Sequence, residues 1–169
     1  MKKVFLSLIC IALAGIAMAQ NATLPQNITI KSLDGTSVQT SAIQNNGKPI
    51  ILSFWATWCK PCNRELNTIK EVYEEWQEET GVKLVAISID DARSAARVKP
   101  HVDGNDWEYE VYLDQNQDLK RAMNVVNVPH TFVLNGKGEI VWQHTSFVEG
   151  SEEELLEVVR KVAAESKAE

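Results

Sequence analysis

Pro49 to Cys62 read PIILSFWATWCKPC, an apolar run that stops at two cysteines three positions apart. Within Pro49 to Trp55 only Ser53 carries a polar side chain. A short continuous apolar run is the pattern of a strand covered on both faces, as in a parallel sheet. From Lys60 onward the period changes. Leu66, Ile69, Tyr73 and Trp76 recur at three- and four-residue steps with Glu and Lys between them, and Gly81 stands where a helix would stop. Lys83 to Ile89 (KLVAISI) is a second buried run. Strand, helix and strand in this order predict a right-handed crossover between parallel strands, with the cysteines opening its helix.

That position gives the cysteines their chemistry. A thiol at a helix N-terminus lies beside unsatisfied N–H groups and the positive end of the helix dipole, which stabilise its thiolate. Such surroundings move a cysteine from a reference pKa of ~8.5 into a range of ~3.5 to 7.5. Cys59 holds this position, while Cys62 falls one turn inward. Pro61 is tolerated because the first helical residues have no intrahelical partner for their N–H groups. A purely structural disulfide between Cys59 and Cys62 would close too small a loop to add much stability. The pair therefore reads as redox chemistry.

Outward from this centre, Ile28 to Leu33 and Val38 to Ile43 flank Asp34-Gly35 and predict an N-terminal hairpin, followed by a turn at Asn45 to Gly47. After the crossover come an expected helix from Ala92 to about Val102, a strand from Glu110 to Leu113 and a short helix from Gln117 to Met123. Thr131 to Leu134 and Glu139 to Trp142, joined by Asn135 to Gly138, predict a second hairpin. The last helix, Glu152 to about Ala164, has Leu155, Val158, Val159 and Val162 on its apolar face. Asp114, Asn116 and Asp118 begin like a calcium loop, but Leu119 stands where that loop requires Gly, so a strand end and helix cap explain them better.

At the amino terminus, Lys2 and Lys3 precede an apolar run from Val4 to Ile16, then Ala17-Met18-Ala19 and Gln20. This is the pattern of a cleaved signal peptide over residues 1–19, leaving residues 20–169 as one domain. The run is shorter than the ~20 residues a spanning helix needs. Export puts the protein where disulfides persist, in the periplasm or an equivalent exported space. The formal net charge of the whole chain is −6, and loss of Lys2 and Lys3 makes it more negative, which disfavours nucleic-acid partners. A single CxxC has too few ligands for zinc, and His101, His130 and His144 lack the spacing of finger sites, so no metal site is expected.

The segment FWATWCKPC between a buried strand and an amphipathic helix resembles the thioredoxin superfamily. Among its branches, the chain is similar to the exported TlpA-like and ResA-like thiol:disulfide oxidoreductases in its leader, its first hairpin, the Asn45-Asn46-Gly47-Lys48-Pro49 approach, and the helix and strand between Asp90 and Gln117. The resemblance implies an α/β three-layer sandwich: a mixed central sheet with helices on both faces, an N-terminal hairpin and an extra helix-strand insert. It implies that Cys59 attacks a partner disulfide and Cys62 resolves the mixed disulfide, with no cofactor beyond the Cys59–Cys62 disulfide. Thioredoxins proper carry a buried Asp six residues before the first cysteine, where this chain has Ser53. In ResA-like proteins a glutamate matching Glu65 exchanges protons with the buried cysteine. The residue also reads as an ordinary first-turn carboxylate favoured by the dipole. Val128-Pro129 matches the family's cis-proline, beside which substrate pairs as an added strand. Substrate contact is thus expected from Trp58, Lys60, Pro61, Val128, Pro129 and His130. For His130, which stands where many relatives have Thr, thiolate tuning, substrate binding and simple tolerance are all open.

The implied substrates are specific periplasmic protein disulfides, with cytochrome c maturation one assignment in the family. The implied electron source is a membrane thiol donor such as a DsbD/CcdA-type protein. Two alternatives share the scaffold. A thiol peroxidase keeps Thr three residues before its reactive cysteine, but here Ala56 precedes Cys59 and Cys59 precedes Cys62 at that distance. A copper carrier spaces its cysteines by three residues, where this chain has two.

Overall fold

The computed structural model describes residues 22–166. The expected leader, residues 1–19, lies outside the described residues. Strands β1 (Thr29–Ser32) and β2 (Ser37–Gln39) form the first hairpin, β3 (Ile50–Trp55) leads to helix α1 (Lys60–Thr80), and β4 (Lys83–Ser88) follows. Helix α2 (Val98–Gly104), β5 (Glu110–Leu113), α3 (Asp118–Ala122), β6 (His130–Leu134), β7 (Ile140–Thr145) and α4 (Ser151–Ser166) complete the chain. The strands make one mixed sheet in the order β2-β1-β5-β4-β3-β6-β7. β3 pairs parallel with β4 and antiparallel with β6, so the strand that delivers the cysteines is central. All six of its residues are buried.

Alternation along the strands sends neighbouring side chains to opposite faces. Ser53 and Thr131, directly paired across β3 and β6, face α1, where both bond Glu65. Phe54 and Phe132 meet edge to face on the other side, where Ala122 and Met123 at α3 border the same cleft as Phe132. Helix α4 packs beside α1, and Leu155, Val159, Val162 and Ala163 are buried there, with Val158 half-buried. This is the thioredoxin-like three-layer sandwich. Burial follows the periodicity on α1: Leu66, Ile69, Tyr73 and Trp76 are inside. The helix ends at Gly81, whose φ of 69° lies in the left-handed region favoured by glycine. Gly136 is required for another reason: a Cβ there would lie 2.0 Å from the Gly47 carbonyl oxygen.

Strand β7 runs three residues past the expected end at Trp142, because its pairing with β6 continues through Gln143, His144 and Thr145 to His130. The structure departs from the sequence expectations at three further places. The strand expected over Val38 to Ile43 ends at Gln39, and Thr40–Ala42 form a 3-10 turn. Fully buried Thr40 explains it, because its hydroxyl donates to the Pro25 carbonyl and accepts from the Ile28 N–H at 3.2 Å, pulling the chain off the ladder. The helix expected from Ala92 begins later, with a 3-10 turn at Ala95–Arg97 before α2. Asp91 accepts the N–H groups of Arg93 (3.0 Å) and Ser94 (3.1 Å) in a turn that competes with helix. Gln117 is the left-handed residue preceding α3, not part of it. Among the described residues no helix is long and apolar enough to cross a membrane.

Candidate active site

Strand β3 hands the chain through Ala56, Thr57 and Trp58 to Cys59, the N-cap of α1. The Cys59 N–H donates to the Ala56 carbonyl at 3.0 Å, and the Cys59 sulfur accepts the Cys62 N–H at 3.3 Å. The sulfur thus takes up one of the orphan donors of a 21-residue helix. Cys59 and Cys62 are joined by a disulfide, with their Cα atoms 5.3 Å apart. Cys62 is fully enclosed and Cys59 is 5% exposed, whereas Trp58 beside it is 65% exposed. Lys60 and Pro61 are exposed in the first turn. The Val128-Pro129 bond is cis, and the Val128 carbonyl oxygen lies 3.7 Å from the Cys59 sulfur. Residue 146 joins the same corner, its N–H donating to the Pro129 carbonyl at 3.0 Å.

Glu65 stands on α1 three residues after Cys62 and is only 5% exposed. Thr131 Oγ1 donates to its Oε1 at 2.8 Å, and Ser53 Oγ donates to its Oε2 at 3.1 Å. Burial pushes the carboxyl up to about 7, against the opposing pull of these two hydroxyls. Ser53 is therefore part of this cluster: the carboxyl comes from the helix, and the strand residue bonds it. Neither Ser53 nor Thr131 stood out as a site residue in the sequence. The available signal was a lone polar side chain inside an otherwise apolar strand, a placement that needs a buried partner.

His130 is brought to neither Glu65 nor the enclosed cysteine. It occupies the alternate strand position from Thr131, stacks on Phe132 with ring centres 4.4 Å apart, and meets Gln143 Oε1 at 3.1 Å. Burial lowers its pKa. Asp90, fully buried two residues past the end of β4, carries no sequence pattern that marks it as a site residue. Its carboxylate accepts the Thr57 N–H at 2.8 Å, the Thr57 hydroxyl at 2.7 Å and the Ser88 hydroxyl at 2.9 Å. It pins the loop two residues before Cys59. Among the described residues no group of three or more His, Cys, Asp or Glu side chains is arranged to hold a metal ion.

Fold and site define a thioredoxin-like thiol:disulfide oxidoreductase. The chain belongs to the AhpC/TSA family, whose profile matches residues 18–143. It is 28% identical over 136 residues to thiol-disulfide oxidoreductase ResA of Bacillus thuringiensis subsp. konkukian, covering 80% of this chain and 75% of that protein. To the sporulation thiol-disulfide oxidoreductase A of Bacillus subtilis it is 28% identical over 125 residues, 73% of each chain. The solution structure of a thioredoxin-like protein from Porphyromonas gingivalis superposes with a TM-score of 0.75 at 53% identity, over 86% of this chain and 95% of that one.

Proposed function

We propose that the protein is an exported reductase of specific protein disulfides. The observation that carries this reading is the Cys59 sulfur at the N-cap of α1, accepting the Cys62 N–H beside the Val128 carbonyl. In the reduced protein the Cys59 thiolate attacks one sulfur of a substrate disulfide. A mixed disulfide forms, and the other substrate sulfur leaves as a thiolate that takes a proton from solvent. Glu65 then accepts the Cys62 proton, and the Cys62 thiolate attacks the Cys59 sulfur. The second substrate sulfur is released, two electrons have passed to the substrate, and the Cys59–Cys62 disulfide remains. A carboxyl pushed up to about 7 suits this exchange, because it neither holds nor releases its proton too firmly near neutral pH.

Trp58, Lys60, Pro61, Val128, Pro129 and His130 form the proposed contact region for the substrate chain, which lies along the Val128 backbone as an added strand. The signal-peptide pattern of residues 1–19 supports export. A CxxCH disulfide of a c-type apocytochrome is one substrate of suitable chemistry, with a DsbD/CcdA-type membrane thiol donor to recharge the pair.

Cys59→Ser abolishes insulin-disulfide reduction on this reading, while Cys62→Ser accumulates mixed disulfides detectable on non-reducing gels. Turnover surviving in Cys59→Ser would sink the mechanism. The reduction potential, measured in glutathione or dithiothreitol buffers, tests the direction of electron flow. A value near thioredoxin's ~−270 mV fits a reductase, and one near ~−120 mV makes the protein an oxidant.

A further inference from the structure

One turn after Cys59, the Asn63 side chain bonds the backbone on both sides of Trp58. Its Nδ2 donates to the Cys59 carbonyl at 2.9 Å and to the Thr57 carbonyl at 3.3 Å. Its Oδ1 faces Nε2 of His101 at 2.5 Å. With both amide hydrogens directed at carbonyls, Oδ1 is left as the acceptor, so Nε2 of His101 carries the proton. Turning the amide over would set its oxygen against two carbonyl oxygens. The two carbonyls therefore set the orientation of Asn63, and the hydrogen bond from His101 holds it there.

His101 belongs to α2, and its ring is held in place. Its centre is 5.6 Å from that of Trp55 and 5.5 Å from that of Trp107. Trp107 Nε1 donates to Asn67 Oδ1 at 2.7 Å, and Lys70 Nζ donates to the Asn105 carbonyl at 2.8 Å. Asn63, Asn67 and Lys70 recur along α1 at helical spacing, so one stripe of the helix is bonded to residues 101–107.

We infer that His101 and Asn63 are positioning residues for the attacking cysteine, through which α2 holds the N-cap of α1. The inference rests on the role proposed above for Cys59. The physical reason is twofold. The two carbonyls present partial negative charge around the Cys59 loop, and the Asn63 NH2 offsets it. The same bonds hold the backbone conformation in which the Cys62 N–H points at the Cys59 sulfur at 3.3 Å. If the relay is cut, the loop turns more freely and the thiolate loses part of its stabilisation.

The test uses the full mature protein, reduced, with iodoacetamide at fixed neutral pH and mass-spectrometric assignment of the alkylated cysteine. Asn63→Ala and His101→Ala should each slow Cys59 alkylation about three- to ten-fold, the range that follows from one net hydrogen bond. The double variant should be no slower than the slower single, since both cut one relay. His101→Gln, which can place an amide donor where Nε2 stood, should restore most of the rate. A purely structural role would lower the melting temperature and leave the alkylation rate unchanged, and that result overturns the inference. Should His101→Ala fail to fold, Asn63→Ala carries the test, because Ala is the best helix former at a half-buried helical position. Wild-type alkylation on Cys62 instead of Cys59 would overturn the attacking role itself, and with it this inference. Cys59 alkylation at an unchanged rate in the variants overturns the inference alone.

Discussion

Glu65 and Asp114 are both buried carboxyls, 5% and 2% exposed, and burial raises the pKa of each. Their partners differ in kind. Asp114 accepts the backbone N–H groups of Leu119 at 3.3 Å and Lys120 at 2.8 Å, at the start of α3. Glu65 is bonded by two hydroxyls, those of Ser53 and Thr131. A backbone N–H can only donate, so protonating Asp114 takes an acceptor away from the helix. A hydroxyl donates or accepts as its proton turns, so Glu65 can take a proton with its partners still satisfied. One carboxyl is built as a cap and the other as a place where a proton comes and goes.

The largest test of this contrast is thermodynamic. The folded Glu65 keeps its proton up to about 7, against 4.5 for an ordinary glutamate, so the folded chain binds more protons than the unfolded chain between those values. Its contribution to stability is complete below pH 4.5 and declines as pH rises to about 7, by about 3 kcal/mol in all. Glu65→Gln, neutral throughout, should remove that decline from denaturant unfolding of the oxidised protein, and should flatten the pH dependence of the Cys62 step. An unchanged pH profile in the variant would make Glu65 a second cap. A smaller effect is expected at the other carboxyl: Asp114→Ala should cost about 0.5–2 kcal/mol, the usual range for a lost helix cap. Insulin reduction by this variant at a temperature where it is folded should match the wild type, and a slowed rate would break the contrast from its other side. The smallest change is expected from Thr131→Val. It removes the shorter of the two hydrogen bonds that oppose burial, so the midpoint of the Glu65-linked decline should move upward in pH. A midpoint that stays or falls would mean that the hydroxyl does not set the carboxyl's balance.

The elements closest to the cysteines were the most legible. PIILSFW reads as a strand buried on both faces, and β3 is one, because a central parallel neighbour and two helical layers leave it no solvent side. The stop at Gly81 and the strand from Glu110 to Leu113 follow from equally local patterns. Misplaced boundaries at Thr40, Asp91 and Gln117 share one cause, since in each a polar side chain or a left-handed backbone overrode the periodicity through contacts the pattern does not contain. In the site, Cys59, Pro61 and Cys62 stand within one turn of chain, and Val128-Pro129 is a recognisable dipeptide. Ser53 with Thr131, Asp90 with Thr57 and His101 with Asn63 are separated by 78, 33 and 38 positions.

By itself the sequence determined the crossover, the cysteine at the head of its helix and the acid one turn beyond, because these depend on side-chain period and on what a helix terminus lacks. Only the tertiary structure decided which strand faces close over Glu65, that His130 turns away from it, and that α2 reaches the Cys59 loop. Those outcomes depend on pairing register and on layers packing over long separations, where a shift of one residue sends a side chain to the opposite face.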